Sequence, residues 1–346
     1  MAVRRISAED HGAAVVAATR PGPALHDLHP RADRLYDDVR AGLSTVPRKL
    51  PPKYFYDEAG ALLFDRITRL DAYYPTRTEL SILERHIGEV ADAVGSNARI
   101  VELGSGSGVK TRLLLRHLRA PLSYLPVDIS RTQLHQFAVS LAGEFPALEI
   151  QPVCADYTRA WSLPRTSGDP ARTVAFFPGS SIGNFEVGDA VALLTRVRKL
   201  CGPGGGLLVG ADLHKDRATL ERAYNDPEGV TAEFNLNLLR RINRECGADF
   251  DPGTFRHRAF YDEEHFRIEM RLVAARRSVV KLPPRGKAGS ALAFEFRPGD
   301  HITTEYSHKY TLAAFRALAA SAGWAPERVW TDERRWFSVW MLRATS

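Results

Sequence analysis

Residues 99–110 read Arg-Ile-Val-Glu-Leu-Gly-Ser-Gly-Ser-Gly-Val-Lys, and they set out the first chemistry this chain can do. Ile100 and Val101 are β-branched, Glu102 is acidic, and Gly104, Gly106 and Gly108 occupy every second position around Ser105 and Ser107. A helical pattern then runs from Lys110 through Leu113, Leu114, Leu115 and Leu118. Strand, glycine loop and helix make a turn whose backbone a ligand can touch. A dinucleotide loop spaces its glycines Gly-x-Gly-x-x-Gly and sets a pyrophosphate on the helix N-terminus. Here Val109 stands where that third glycine would be, which disfavours a nicotinamide oxidoreductase. The spacing present, with Glu102 before it, suits a ligand without phosphates. S-adenosylmethionine (SAM) is such a ligand: glycines let backbone approach its methionine part, and a carboxylate can accept from its ammonium. A plain glycine-rich turn in another α/β protein is the alternative.

Two more acids fall in step with that loop. Asp128 closes the next strand candidate, where a carboxylate can accept from both hydroxyls of a ribose. It could equally cap a helix. Asp156, followed by Tyr157, closes the third, where an acid could accept from an adenine amino group. Asn184 comes just past the fourth, on the carboxyl side of the sheet where α/β proteins bind ligands. Its amide can accept from an ammonium and donate to a carboxylate, or simply cap the following helix.

The elements that must position these residues follow from periodicity. Helical spacing marks 29–41, 62–70 and 78–94, with an extended, proline-bounded connector over 47–52. Strand candidates at 100–103, 124–129, 150–154, 173–177 and 206–211 alternate with helices at 109–119, 131–144 and 186–200. That alternation predicts an α/β fold, a doubly wound and mostly parallel sheet. After Asp212 the pattern changes to helix over 216–247, broken at 225–229. Short strands follow at 255–261, 267–273, 278–282, 291–296 and 302–306. A helix at 312–322 and strands at 329–331 and 336–342 return to the core, the last as a hairpin edge. The expected organisation is a loosely held arm at 1–30, then N-terminal helices and the SAM-binding core at 31–215. An inserted α+β lobe at 216–310 and a C-terminal return at 311–346 complete it.

Composition bounds the rest. The 346 residues are 44% hydrophobic and 25% charged, long enough for one large domain or two smaller ones. The formal charge of +6 is spread with both signs mixed, and Arg4-Arg5, Arg240-Arg241, Arg276-Arg277 and Arg334-Arg335 are short pairs that suit solvated faces. No nucleic-acid partner is expected from such a pattern. Cys154, Cys201 and Cys246 stand far apart, which points to reduced thiols in a cytoplasm and away from structural zinc. The histidines show no ligand spacing, so no metal is expected. No apolar run reaches about 18 residues, so no membrane span is expected, and residues 1–20 lack the apolar core of a signal peptide. A monomer is the expected state.

Longer segments carry a resemblance. Pro52-Lys-Tyr-Phe-Tyr-Asp57, Ile67-Thr-Arg-Leu-Asp-Ala-Tyr-Tyr-Pro-Thr-Arg77, Val101-Glu-Leu-Gly-Ser-Gly106, Gly179-Ser-Ser-Ile-Gly-Asn184, Ala223-Tyr-Asn-Asp-Pro-Glu-Gly-Val-Thr231 and Thr304-Glu-Tyr-Ser307 occur in order. Together they resemble the SAM-dependent histidine Nα-methyltransferases of ergothioneine biosynthesis, from about residue 40 onward. The resemblance implies a Rossmann-like class I methyltransferase core and a second lobe closing over the amino acid. It implies three methyl transfers from SAM to the α-amine of L-histidine, giving hercynine and S-adenosylhomocysteine (SAH). By similarity, Tyr56, Gly179, Ser181, Asn184 and Tyr224 hold the amine and carboxylate, with Tyr56 and Asn184 closest to the chemistry. Tyr73, Glu305 and Ser307 face the imidazole and Met270 lines its pocket. Gly104, Lys110, Asp128 and Asp156 contact SAM, alongside Glu102, Ser105 and Gly106 at the loop and Tyr157 after the third strand. Ser181 stands where the best-known members carry Thr, and the flanks of Ser307 also differ.

Elementary chemistry weighs these assignments. Ionised Glu305 only accepts hydrogen bonds, whereas Ser307 accepts or donates, and two residues apart on a strand they share a face. That pairing suits the two ring nitrogens of imidazole; on the residues alone, Glu305 in a surface salt bridge is the simpler reading. Tyr56, Tyr73 and Tyr224 could each be ordinary core aromatics. Relatives acting on other amino acids or tryptophan derivatives keep a different substrate open, as does a non-catalytic SAM-binding partner.

Overall fold

A computed structural model describes residues 22–28, 34–106, 108–286 and 290–345. The arm expected at 1–30 lies outside them except for residues 22–28, which meet the main sheet. Strand β1 (His26–Asp27) joins the main sheet in parallel, His26 N–H donating to Pro152 O at 2.9 Å and Leu28 N–H to Cys154 O at 3.0 Å.

The chain continues through α1 (Arg34–Ser44), β2 (Arg48–Lys49), a 3-10 turn at Pro52–Phe55, α2 (Glu58–Ile67) and α3 (Tyr74–Val94). Helix α2 starts at Asp57, whose carboxylate accepts from Gly60 N–H at 2.8 Å, as a capping acid should. Alternating β3 (Ala98–Leu103), α4 (Val109–His117), β4 (Ser123–Asp128) and α5 (Arg131–Glu144) follow. The single strand expected at 150–154 is two, β5 (Glu149–Ile150) and β6 (Val153–Cys154), separated where Pro152 has no N–H to give. Then come β7 (Arg172–Phe177), α6 (Val187–Cys201), β8 (Gly206–Asp212), α7 (Arg217–Tyr224) and α8 (Val230–Cys246). Buried positions Val230, Thr231, Phe234, Leu238, Leu239 and Ile242 give α8 its core-facing stripe.

The last part comprises β9 (Phe255–Asp262), β10 (Arg267–Ala274), β11 (Ser278–Leu282), β12 (Leu292–Phe296), β13 (His301–His308), α9 (Leu312–Ser321), β14 (Trp324–Thr331) and β15 (Phe337–Ala344). The main sheet runs β1-β6-β4-β3-β7-β8-β15-β14, with β5 beside β4. It is parallel from β1 to β8 and antiparallel through β15 and β14. This is the doubly wound, mostly parallel α/β arrangement that the alternation of strands and helices predicts. The final strand is not the edge. β15 is buried along nearly its whole length and sits inside, whereas half-exposed β14 takes the rim.

The second sheet runs β2-β13-β10-β9, and β11 and β12 form a separate hairpin. Its hydrophobic core also takes Leu35, Val39, Leu43, Leu50, Phe55, Ile67 and Tyr73 from the N-terminal helices. Helices α1 and α2 thus pack with the second lobe, whereas α3 packs on the main sheet. The connector at 47–52 joins too, as β2 pairs in parallel with Ile302 and Thr303 of β13.

Candidate active site

The carboxyl ends of β6, β4, β3, β7 and β8 lie side by side. They carry, in that order, Asp156, Asp128, Gly104, Gly179 and Asp212. Such a row, at the ends of parallel strands, is where α/β sheets bind ligands. Gly104 turns at φ 77°, a conformation that side chains resist, and a Cβ there would stand 4.0 Å from the Tyr157 ring. Tyr157 meets Phe177 edge-on at 5.8 Å. Asp128 accepts from Ser130 N–H at 2.9 Å, and burial pushes its carboxyl up despite that bond.

Beside this row opens a pocket with about 570 Å³ of free space, its mouth included. From the main sheet it takes Gly179, Ser181, Asn184 and Asp212. From the second lobe it takes Tyr56, Tyr73, Tyr224, Met270, Glu305 and Ser307, with Phe64, Thr231 and Phe234 behind them. Glu305 and Ser307 share a face of β13, and Met270 of β10 lies directly across from Glu305. Every residue the resemblance assigned to the amino acid thus lines one cavity. Tyr56 packs edge-on against Phe64 at 5.4 Å and Phe234 at 5.7 Å, and Tyr73 against Tyr224 at 6.1 Å.

The electrostatics of the pocket are uneven. Burial pushes the Glu305 carboxyl up to about 7, with Lys309 pulling the other way. The Glu305 carboxyl accepts no hydrogen bond from any described side chain or backbone N–H. Burial also drives the Tyr56, Tyr73 and Tyr224 hydroxyls well above their ordinary range, with Glu305 adding to each. Tyr157 adds a smaller push at Tyr56.

A family model described as histidine-specific methyltransferase, SAM-dependent, matches residues 35–344. The chain belongs to that family. A histidine N-alpha-methyltransferase of Mycobacterium tuberculosis is 42% identical over 300 residues, spanning 86% of this chain and 90% of that one. One of Mycolicibacterium smegmatis is 40% identical, spanning 87% and 92%. Ergothioneine biosynthesis protein 1 of Neurospora crassa is 33% identical over 82% of this chain, which matches 32% of that longer protein.

Within this SAM-dependent methyltransferase, four assignments read from the sequence meet different surroundings. Glu102 does not face a ligand's ammonium. It is 1% exposed and accepts from Thr111 Oγ1 at 2.7 Å and from the Tyr124 hydroxyl. Burial pushes it up to about 8 against those bonds, so it holds its proton at neutral pH. Lys110 gives its ammonium to Glu79. Glu79 in turn accepts Gly179 N–H at 2.8 Å, so Lys110 supports the turn under the pocket rather than the glycine loop. Asp156 accepts from Thr158 N–H at 3.0 Å and has Lys53 Nζ at 3.4 Å, partners that compete with an adenine amino group. The Tyr224 hydroxyl lies 2.8 Å from Ser307 Oγ, on the side assigned to the ring.

Sequence reasoning missed Glu79, Asp212, Lys215 and Lys309. Asp212 accepts from Lys309 at 2.8 Å, Lys215 at 2.7 Å and Tyr74 at 2.7 Å. Burial opposes its charge, but the two ammonium groups more than offset that and hold its carboxyl below the usual range. Lys309 could have been found, since it continues the alternation of Glu305 and Ser307. Glu79 left only an indirect trace, a glycine inside a strand: a Cβ on Gly210 would come within 2.1 Å of its Oε1.

Proposed function

We propose that this methyltransferase moves methyl groups from SAM to the α-amine of L-histidine, three in succession, giving Nα,Nα,Nα-trimethylhistidine (hercynine) for ergothioneine biosynthesis. The observation that carries the choice of substrate is Glu305. A buried carboxylate without a protein hydrogen bond, opening on a pocket beside two hydroxyls, suits a ring that offers an N–H. An indole would meet it with one N–H and leave the hydroxyl pair against apolar carbon.

The donor side fits SAM. Asp128 is a buried acid held by backbone, as a grip on a ribose diol needs, and the loop at Gly106 is open, with nothing within 4 Å of a Cβ placed there. Gly104, Ser105 and Gly106 would face the methionine part, and Tyr157 and Asp156 the adenosine. Bound SAM supplies an electrophilic methyl group for in-line displacement by nitrogen. The chain's own work is positioning. Gly179, Ser181 and Asn184 on their turn and Tyr56 opposite hold the amine and carboxylate, and the ring clamp fixes the other end. Tyr56 keeps its proton at neutral pH, so it orients the amine through its oxygen and solvent takes the ammonium proton.

Calorimetry on SAH-loaded protein tests this reading, with histidine, dimethylhistidine and tryptophan titrated in turn. With SAH bound, histidine and dimethylhistidine should bind; in a separate reaction with SAM, histidine should gain three methyl groups by mass. Tighter binding of tryptophan would assign the pocket to another amino acid.

A further inference from the structure

Lys309 is wholly buried, and its three N–H bonds are all spoken for. They go to Asp212 Oδ2 at 2.8 Å, Ser307 Oγ at 2.8 Å and the Tyr224 hydroxyl at 3.0 Å. Both hydroxyl oxygens are therefore acceptors toward Lys309. They also lie 2.8 Å from each other, so one must donate to the other. Two hydroxyl hydrogens enter this arrangement and one is used inside it. Whichever hydroxyl gives, one hydrogen is left over, and both residues line the pocket. Beside it Glu305 can only accept while ionised. The pocket floor thus presents one donor and one acceptor.

Charge points the same way. Two ammonium groups, Lys309 and Lys215, face two carboxylates, Asp212 and Glu305, within and beside this cluster. Nearby Glu79 and Lys110 form a neutral pair. A cationic ring would add an uncompensated charge beside the Lys309 ammonium in a buried site. The cluster also reaches the amine-holding turn, because Asp212 N–H donates to Ser180 Oγ at 2.9 Å, next to Ser181.

Resting on the histidine reading above, we propose that Lys309, anchored by Asp212, is a positioning residue that fixes the direction of the Ser307–Tyr224 hydroxyl pair. The pair thereby donates one hydrogen to a bare ring nitrogen, and the site takes the neutral imidazole, with its single N–H on Glu305.

Two measurements test it. The first uses the unaltered protein with SAH and ring-¹⁵N-labelled histidine. The bound ring should show one protonated and one bare, hydrogen-bonded nitrogen by NMR; two protonated nitrogens would overturn the proposal. Absence of histidine binding there would instead sink the substrate reading itself. The second is a calorimetric cycle of Lys309→Met, Ser307→Ala and the double variant. Each single change should weaken histidine binding about 10- to 100-fold, with SAH affinity kept. The double variant should be little worse than the weaker single, because the lysine acts through the hydroxyl. Additive losses, or a Lys309→Met protein that binds histidine normally, would overturn the proposal. If Lys309→Met fails to fold, the ring spectrum of the unaltered protein still decides.

Discussion

At Glu305, burial and function pull in opposite directions. Its carboxyl is raised to about 7 in the folded chain, above the ordinary glutamate range. Folding therefore favours the protonated form. The stability it contributes is complete below the unfolded value of about 4.3 and is lost as pH rises through about 7. Glu305→Gln should therefore stabilise the ligand-free protein at pH 8, by up to about 3 kcal/mol, and not near pH 4. Thermal unfolding across that range checks this; an equal gain at both ends would mean that the carboxyl does not titrate in the pocket. Histidine binding has the opposite sign, because the ring needs the carboxylate and should bind more weakly as pH falls below about 7. The same Gln variant should lose about tenfold or more in histidine affinity, with SAH affinity unchanged. Equal losses for both ligands would remove Glu305 from the ring site. For Tyr56, a positional role predicts that Tyr56→Phe lowers kcat/KM about 5- to 10-fold while leaving its pH dependence in place. A vanished limb in the pH profile would make Tyr56 the base instead.

Among the elements, the turn after β7 depends on a residue far from it in sequence. Glu79 on α3 takes Gly179 N–H through both oxygens, at 2.8 and 3.0 Å, and Gly210 on β8 leaves it room. Gly210→Ala should push that carboxylate aside, lowering stability by about 1–3 kcal/mol. It should weaken histidine binding more than SAH binding, since the turn faces the pocket. Denaturant unfolding and calorimetry read the two effects, and an unshifted histidine affinity would show that the turn stands without Glu79. The same element shows what was legible in the chain. Periodicity locates most of the parallel strands and puts Asn184 just past one of them, while Gly179 and Ser181 come from the family resemblance. Their support was not legible, because an isolated helical glutamate reads as a solvated charge until the sheet brings Gly179 to it. Glu102 failed in the converse way. Its place before the glycine loop suits a ligand's ammonium, but Thr111 and Tyr124, nine and 22 positions along the chain, turn it inward. Strand-edge order was likewise hidden, since only pairing shows that apolar β15 lies between β8 and β14.

For the whole molecule, the two lobes share more than a cleft. Residues 35–74 leave the chain's start to build the second lobe's core, then α3 returns to pack on the main sheet through Ile82, Leu83, Val90 and Val94. Tyr74, at the head of α3, donates to Asp212 at the end of β8, and Lys309, just past β13, reaches the same carboxylate. Lys53, in the turn that leads to Tyr56, lies 3.4 Å from Asp156 past the end of β6. Covalent crossings and buried charge thus tie the lobes at the carboxyl ends of the parallel strands. Unfolding should accordingly be a single calorimetric transition, with neither lobe melting alone. SAH at about 100 times its dissociation constant should raise the stability of that one transition by about 2.7 kcal/mol, although the site proposed for it lies on the main sheet. Histidine added afterwards should move the same transition further. Two transitions, with SAH moving one and histidine the other, would mean that the Asp212 cluster holds side chains in place without joining the lobes.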